Sequence, residues 1–154
     1  MSKLKFEDFI EQSGQLTYSN VGTSMLPLLR QGRDLFTVSK KNAARCRKYD
    51  VVLYHGQNDT YILHRIIKVR EADYVIRGDN CITKEYGITD DDIIGVMTGF
   101  VRDGKSYSTD NTGYRIYSVL WCAFAPVRIC FKKMKIRISH LKRSVKMKIK
   151  RIIG

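Results

Sequence analysis

The chain has 154 residues, 44% of them hydrophobic, and a formal net charge of +13. Its length suits one domain with a modest core, and its apolar share is that of an ordinary folded protein. No run reaches the ~18–20 apolar residues that cross a bilayer, and Met1 to Ile10 lacks the apolar centre of a secretory signal. A transmembrane span and an export signal are therefore not expected. The charge is unevenly placed: residues 126–154 hold eleven Lys or Arg and no acid, while residues 1–125 carry only +2. Such a tail seeks an anionic partner. The four cysteines, at 46, 81, 122 and 130, form no C-x-x-C pair and read as free thiols. No metal site and no cofactor is implied.

Taken in chain order, residues 5–13 read as a short helix with Phe6, Phe9 and Ile10 on one face. Leu16 to Val21 is extended and leads into a turn at Ser24. Strands are expected at Leu35–Val38, Asp50–Tyr54, Tyr61–Val69, Tyr74–Arg77 and Ile93–Val101. His55 to Asp59 carries the turn residues of a hairpin loop. Many short strands with frequent turn signals predict a mostly-β (α+β) domain, a barrel or folded sheets, over residues 1–112. Residues 113–154 form a second segment. Within it Ile138, Leu141, Val145, Ile149 and Ile152 make one helical stripe among Lys and Arg. Tyr117, Trp121, Phe124 and Phe131 precede or overlap that stripe, and aromatic residues of this kind favour a membrane–water interface. Residues 114–153 are thus expected to lie on an anionic membrane surface as a peripheral anchor. Nucleic acid is not expected, because the apolar stripe would serve no purpose on phosphate.

Two residues carry the chemistry. Ser24 lies beside a glycine-containing break, where a tight turn exposes a hydroxyl. His64 sits in the apolar run Leu63-His64-Arg65-Ile66-Ile67, where a strand would hold it rigidly. A weak nucleophile and a base titrating near neutrality are the minimum parts of a serine hydrolase. His55 and His140 receive no role, and Arg65 reads as structural.

Ser24-Met25-Leu26-Pro27, His64-Arg65-Ile66, Gly78-Asp79-Asn80 and Ile94-Gly95-Val96-Met97 occur in this order. Together they resemble the boxes of the type I signal peptidase superfamily, which includes the self-cleaving SOS repressors, over residues 18–102. The histidine places the resemblance nearest the archaeal and endoplasmic-reticulum branch, whose base is histidine rather than lysine. It implies Ser24 as nucleophile and His64 as general base. Asp79 is the first candidate for the acid that orients the histidine, with Glu85 and Asp90 to Asp92 also open. Leader peptidases often place a serine two residues before the nucleophile. Gly22 stands there instead, so Gly22 and Thr23 are expected to let the Ser24 amide face the oxyanion. Met25 is expected to wall the substrate pocket and Pro27 to stiffen the exit from the turn.

The activity implied is a serine endopeptidase that cuts leader or signal-type peptides after small residues, with a peptide or pre-protein as substrate. The family's usual transmembrane anchor is missing, which points to a specialised substrate on the cytoplasmic side. Two other readings stand beside it: a self-cleaving SOS-repressor-like regulator, and a non-enzymatic membrane adaptor on the same fold.

Overall fold

The computed structural model describes residues 5–56 and 60–153, with the side chains of the last helix described through Arg143 and at Met147. The chain divides into two compact units, residues 1–122 and 123–154. The first holds an open antiparallel sheet and two helices, and the second a single long helix, an α+β fold that is mostly β.

Helix α1 (Phe6–Ser13) opens the first unit. Glu7 and Asp8 sit in its first turn, where carboxylates complement the helix dipole. Gly14 ends it in the left-handed conformation (φ +76°), and its N–H bonds the Ile10 carbonyl. Only Ile10 of this helix is fully buried. Eight strands follow among the described residues: β1 (Gln15–Ser19), β2 (Leu35–Lys40), β3 (Val51–His55), β4 (Tyr61–Val69), β5 (Tyr74–Arg77), β6 (Glu85–Ile88), β7 (Ile93–Arg102) and β8 (Lys105–Ser108). Their order across the sheet is β1-β2-β7-β3-β4-β5-β6, with β8 paired to β7. Helix α2 (Thr112–Ala123) completes the unit.

The strands expected from sequence at 61–69 and 74–77 have those bounds. Most of the hairpin loop expected at 55–59 lies outside the described residues. Strands β6 and β8 carry little alternation and were not foreseen; each is drawn into the sheet by a more buried neighbour, β5 and β7 respectively.

Alternation along β3 and β4 sorts their side chains into two cores. Val51, Leu53 and Leu63 join Ile10, Met25, Leu28, Leu29 and Phe36 in one. Val52, Tyr54 and Ile66 join Tyr74, Ile76 and Ile93 in the other. His64 and Arg65, adjacent in sequence, therefore fall on opposite parities of one strand, with Val52 opposite His64 and Val51 opposite Arg65.

Tyr114, Tyr117 and Trp121 on α2 pack toward the sheet within the first unit. The Arg65 guanidinium donates to Tyr114 Oη (3.3 Å) and to Ser118 Oγ (2.8 Å), and Tyr117 stacks on Trp121 at 5.8 Å. Tyr117 and Trp121 are therefore engaged with the β unit, whereas Phe124 and Phe131 of the same aromatic run are exposed. A buried cation on β4 needs neutral oxygen acceptors around it, and α2 supplies two of them.

Helix α3 (Ala125–Ile153) has 29 residues and makes up the second unit. No helix among the described residues is long and apolar enough to cross a membrane.

Candidate active site

Ser24 sits on the loop between β1 and β2, and this loop is fastened at many points. Asn20 donates from Nδ2 to the carbonyls of Gly22 (3.2 Å) and Leu29 (3.3 Å), while Gly32 N–H donates to the Asn20 carbonyl (2.9 Å). Asp34, with no exposed side-chain surface, accepts from Arg30 and Arg102. The Arg102 guanidinium also donates to the carbonyls of Pro27 and Leu28, both at 2.6 Å. Burial alone would raise the Asp34 carboxyl, but the two guanidiniums outweigh it and hold it at about 2.

Gly22 adopts φ +88°, a left-handed backbone that side chains other than glycine rarely tolerate. Met25, Leu28 and Leu29 plug the loop into the core, leaving Ser24 half-buried. Met25 is 1% exposed, so it anchors the serine turn rather than walling a pocket. Thr23 and Pro27 are exposed, and each contributes its carbonyl as a fastening point, to Asn80 and Arg102 respectively. The Leu26–Pro27 peptide is cis.

His64 is buried on β4, and its two ring nitrogens have different surroundings. Nδ1 lies 2.8 Å from Glu85 Oε1 and 3.2 Å from Tyr54 Oη. Tyr54 donates its hydroxyl to Glu85 Oε2 at 2.7 Å. A carboxylate only accepts, so Nδ1 carries the proton in this arrangement and Nε2 keeps the basic lone pair. Burial pushes the imidazole below its ordinary value, and the Glu85 carboxylate pulls against that. Burial and Glu85 both push Tyr54 upward, which keeps its hydroxyl a donor.

Gly78 explains how Nε2 comes near the serine. A methyl group on its α-carbon would fall 2.8 Å from His64 Nε2, 2.8 Å from the Ser24 carbonyl oxygen and 2.7 Å from Cys81 Sγ. The imidazole and the serine turn thus pack against the same bare α-carbon. The next two residues hold the arrangement. Asn80 donates its N–H to the Ser24 carbonyl (2.7 Å) and its side-chain amide to the Thr23 carbonyl (3.0 Å).

Asp79, the first candidate for orienting the histidine, is bound elsewhere. Its two carboxylate oxygens accept from Arg65 Nε and Nη2, each at 2.8 Å, in a pair with almost no exposure. Arg65 also donates to the Tyr49 carbonyl, and Trp121 donates its indole N–H to the Asp79 carbonyl. Glu85 is the carboxylate hydrogen-bonded to His64, because pairing of Ile76 with Glu85 aligns β6 with the end of β5. The aspartate cluster also has other partners. Asp90 pairs with Lys41 and Arg45, and Asp92 caps Thr89.

Ser24 and His64 line one cleft of about 320 Å³, together with Phe6, Tyr18, Val21, Phe36, Leu53 and Leu63 among others. Phe6 stacks on Tyr61 at 4.4 Å, and Tyr61 donates to Glu7, so α1 forms part of the wall. A larger cavity of about 630 Å³ is lined by Lys41, Arg45, Arg47, Lys48 and Arg115 but holds neither Ser24 nor His64. Among the described residues no cluster of His, Cys, Asp or Glu could hold a metal ion.

The sequence pattern pointed to Ser24, His64 and the glycine box. Tyr54 escaped it, although it lies two residues along β3 from Val52, the partner of His64, and so on the same face. Comparison with protein-family models, curated proteins and solved structures finds no match to this chain.

Proposed function

We propose that this protein is a serine endopeptidase of the signal-peptidase type, cutting leader or signal-type peptides with Ser24 as nucleophile and His64 as general base. One observation carries the reading. His64 is bonded through Nδ1 to Glu85 and Tyr54, while Nε2 packs over Gly78 against the Ser24 turn in a shared cleft.

In this mechanism Nε2 takes the Ser24 hydroxyl proton as Oγ attacks the scissile carbonyl carbon. The Ser24 amide, set by Gly22 and Thr23, faces the oxyanion, a contact typically worth ~10²–10³ in rate. Glu85 and Tyr54 hold the ring and stabilise the imidazolium that forms. The tetrahedral intermediate collapses, Nε2–H protonates the leaving amine, and an acyl-enzyme remains on Ser24. Water, deprotonated by the same nitrogen, releases it. Asp79 serves the site through Arg65 and the 78–80 turn, without touching the reacting atoms.

The experiment compares wild type, Ser24→Ala and His64→Ala on a panel of leader-type peptides, together with a serine-reactive probe. Wild type is expected to cut and to take the label, and both folded variants to lose activity by at least about 10³-fold. Absence of labelling at Ser24, or full activity in His64→Ala, overturns the assignment.

A further inference from the structure

We propose that α3 docks on an anionic lipid surface, seated through a stripe of Val127, Phe131, Met134, Ile138 and Leu141. The inference is independent of the peptidase reading. These five residues alternate at spacings of four and three. At 3.6 residues per turn that keeps them within an arc of about 80°. All five are exposed, from 47% at Ile138 to 66% at Leu141. Phe124, 60% exposed and three residues before Val127, extends the same spacing. The stripe begins earlier than the one read from sequence, whose later members Val145, Ile149 and Ile152 lie outside the residues with described side chains.

Charge selects the occupant. On the helical wheel Lys135 and Lys142 border the stripe on one side and Lys133 and Arg137 on the other, with no acid anywhere in 126–154. A second copy of the helix would bring two rows of like charge together along the seam. Nucleic acid would meet the charge but leave five large apolar side chains in water. An anionic bilayer surface meets both: headgroups take the lysines, whose stems reach up from the interface, and the acyl boundary takes Phe, Met, Ile and Leu. Such a helix lies in the interface plane, consistent with the absence of any described helix apolar enough to span.

The test is flotation of the full chain with vesicles of phosphatidylcholine alone or mixed with phosphatidylglycerol. Binding is expected only to the anionic vesicles, and part of it should survive about 0.5 M salt, where screening acts within a few Å. The double variant Phe131→Ser/Leu141→Ser keeps every charge and should bind about tenfold more weakly or worse. Far-UV circular dichroism and thermal melting check that its fold is unchanged. Failure to bind anionic vesicles overturns the proposal. So does a double variant that binds as well as wild type, or binding that salt abolishes completely and duplex DNA competes away. Stripe-dependent dimers in light scattering, with vesicles inert, would assign the face to a second copy instead. None of these readouts uses peptide cleavage, so the peptidase reading can fail while this one stands.

Discussion

His64 Nδ1 lies 2.8 Å from Glu85 Oε1, and Glu85 Oε2 accepts a second bond from Tyr54 at 2.7 Å. The carboxylate is thus engaged through both oxygens, one by the ring it steadies and one by a buried phenol. This pairing gives the imidazole a fixed tautomer and couples its titration to a carboxylate on the neighbouring sheet edge. Burial lowers the His64 pKa and Glu85 raises it, with burial ahead.

Glu85→Gln removes the charge and keeps the shape. In the proposed mechanism kcat/KM should fall by about 10²–10⁴-fold, the usual scale for a disturbed acid–base group. The pH profile supplies a second readout. With the upward pull of Glu85 gone, the His64 pKa drops further, so the acid limb of kcat/KM should move to lower pH. A limb that stays in place, or moves up, would show that Glu85 does not act on the base.

The depressed histidine also has a stability consequence. The unfolded chain binds a proton near the ordinary value of about 6.5, whereas folded His64 binds it only at lower pH. The unfolded state is therefore favoured as pH falls from about 6.5 through the folded pKa, and stability lost there should be absent in a His64→Gln variant. Urea melts of both proteins across that range measure it. Asp34 acts lower still: held at about 2, it contributes about 2 kcal/mol that is present above its ordinary value of 3.8 and lost as pH falls through about 2.

Tyr54→Phe leaves Glu85 Oε2 without its phenolic donor. The cost to stability should be about 1 kcal/mol. Activity should fall by about tenfold, less than in Glu85→Gln because the His64–Glu85 bond remains. The informative measurement is the acid limb again. With one fewer donor neutralising it, Glu85 acts more strongly on the ring, and the limb should shift upward, opposite in sign to Glu85→Gln.

Much of the frame was legible because it rests on local pattern. The run Tyr61–Val69 is apolar and β-branched enough to give β4 its bounds, and turn residues delimit β5. The two short edge strands were not, because Glu85-Tyr86-Gly87-Ile88 and Lys105-Ser106-Tyr107-Ser108 are mostly exposed and owe their register to partners. The same holds at the site. Ser24, His64 and the glycine box stand out in the sequence, and a resemblance orders them. The partner of Nδ1 depends on where β6 lies against β5, which no spacing encodes. Asp79 was the more conspicuous carboxylate, yet Arg65, the next residue after His64 and on the opposite face of β4, takes both its oxygens.

Gly78 gives the sharpest geometric prediction. Gly78→Ala would place a methyl 2.8 Å from the Ser24 carbonyl, 2.8 Å from His64 Nε2 and 2.7 Å from Cys81 Sγ. The ring and the sulfur can give way, but the Ser24 carbonyl is backbone and is held by the Asn80 amide at 2.7 Å. The serine turn and the imidazole must therefore move apart. A displacement of about 1 Å at reacting groups can cost on the order of 10²-fold. The fold should tolerate the change far better, since the overpacking penalty is typically 1–3 kcal/mol. A folded Gly78→Ala protein with wild-type kcat/KM would mean that the contact of His64 and Ser24 across this glycine has no part in catalysis. A folded variant that loses activity, and regains none when Cys81→Ala opens space beside the methyl, would trace the loss to the two remaining contacts, Nε2 and the serine carbonyl.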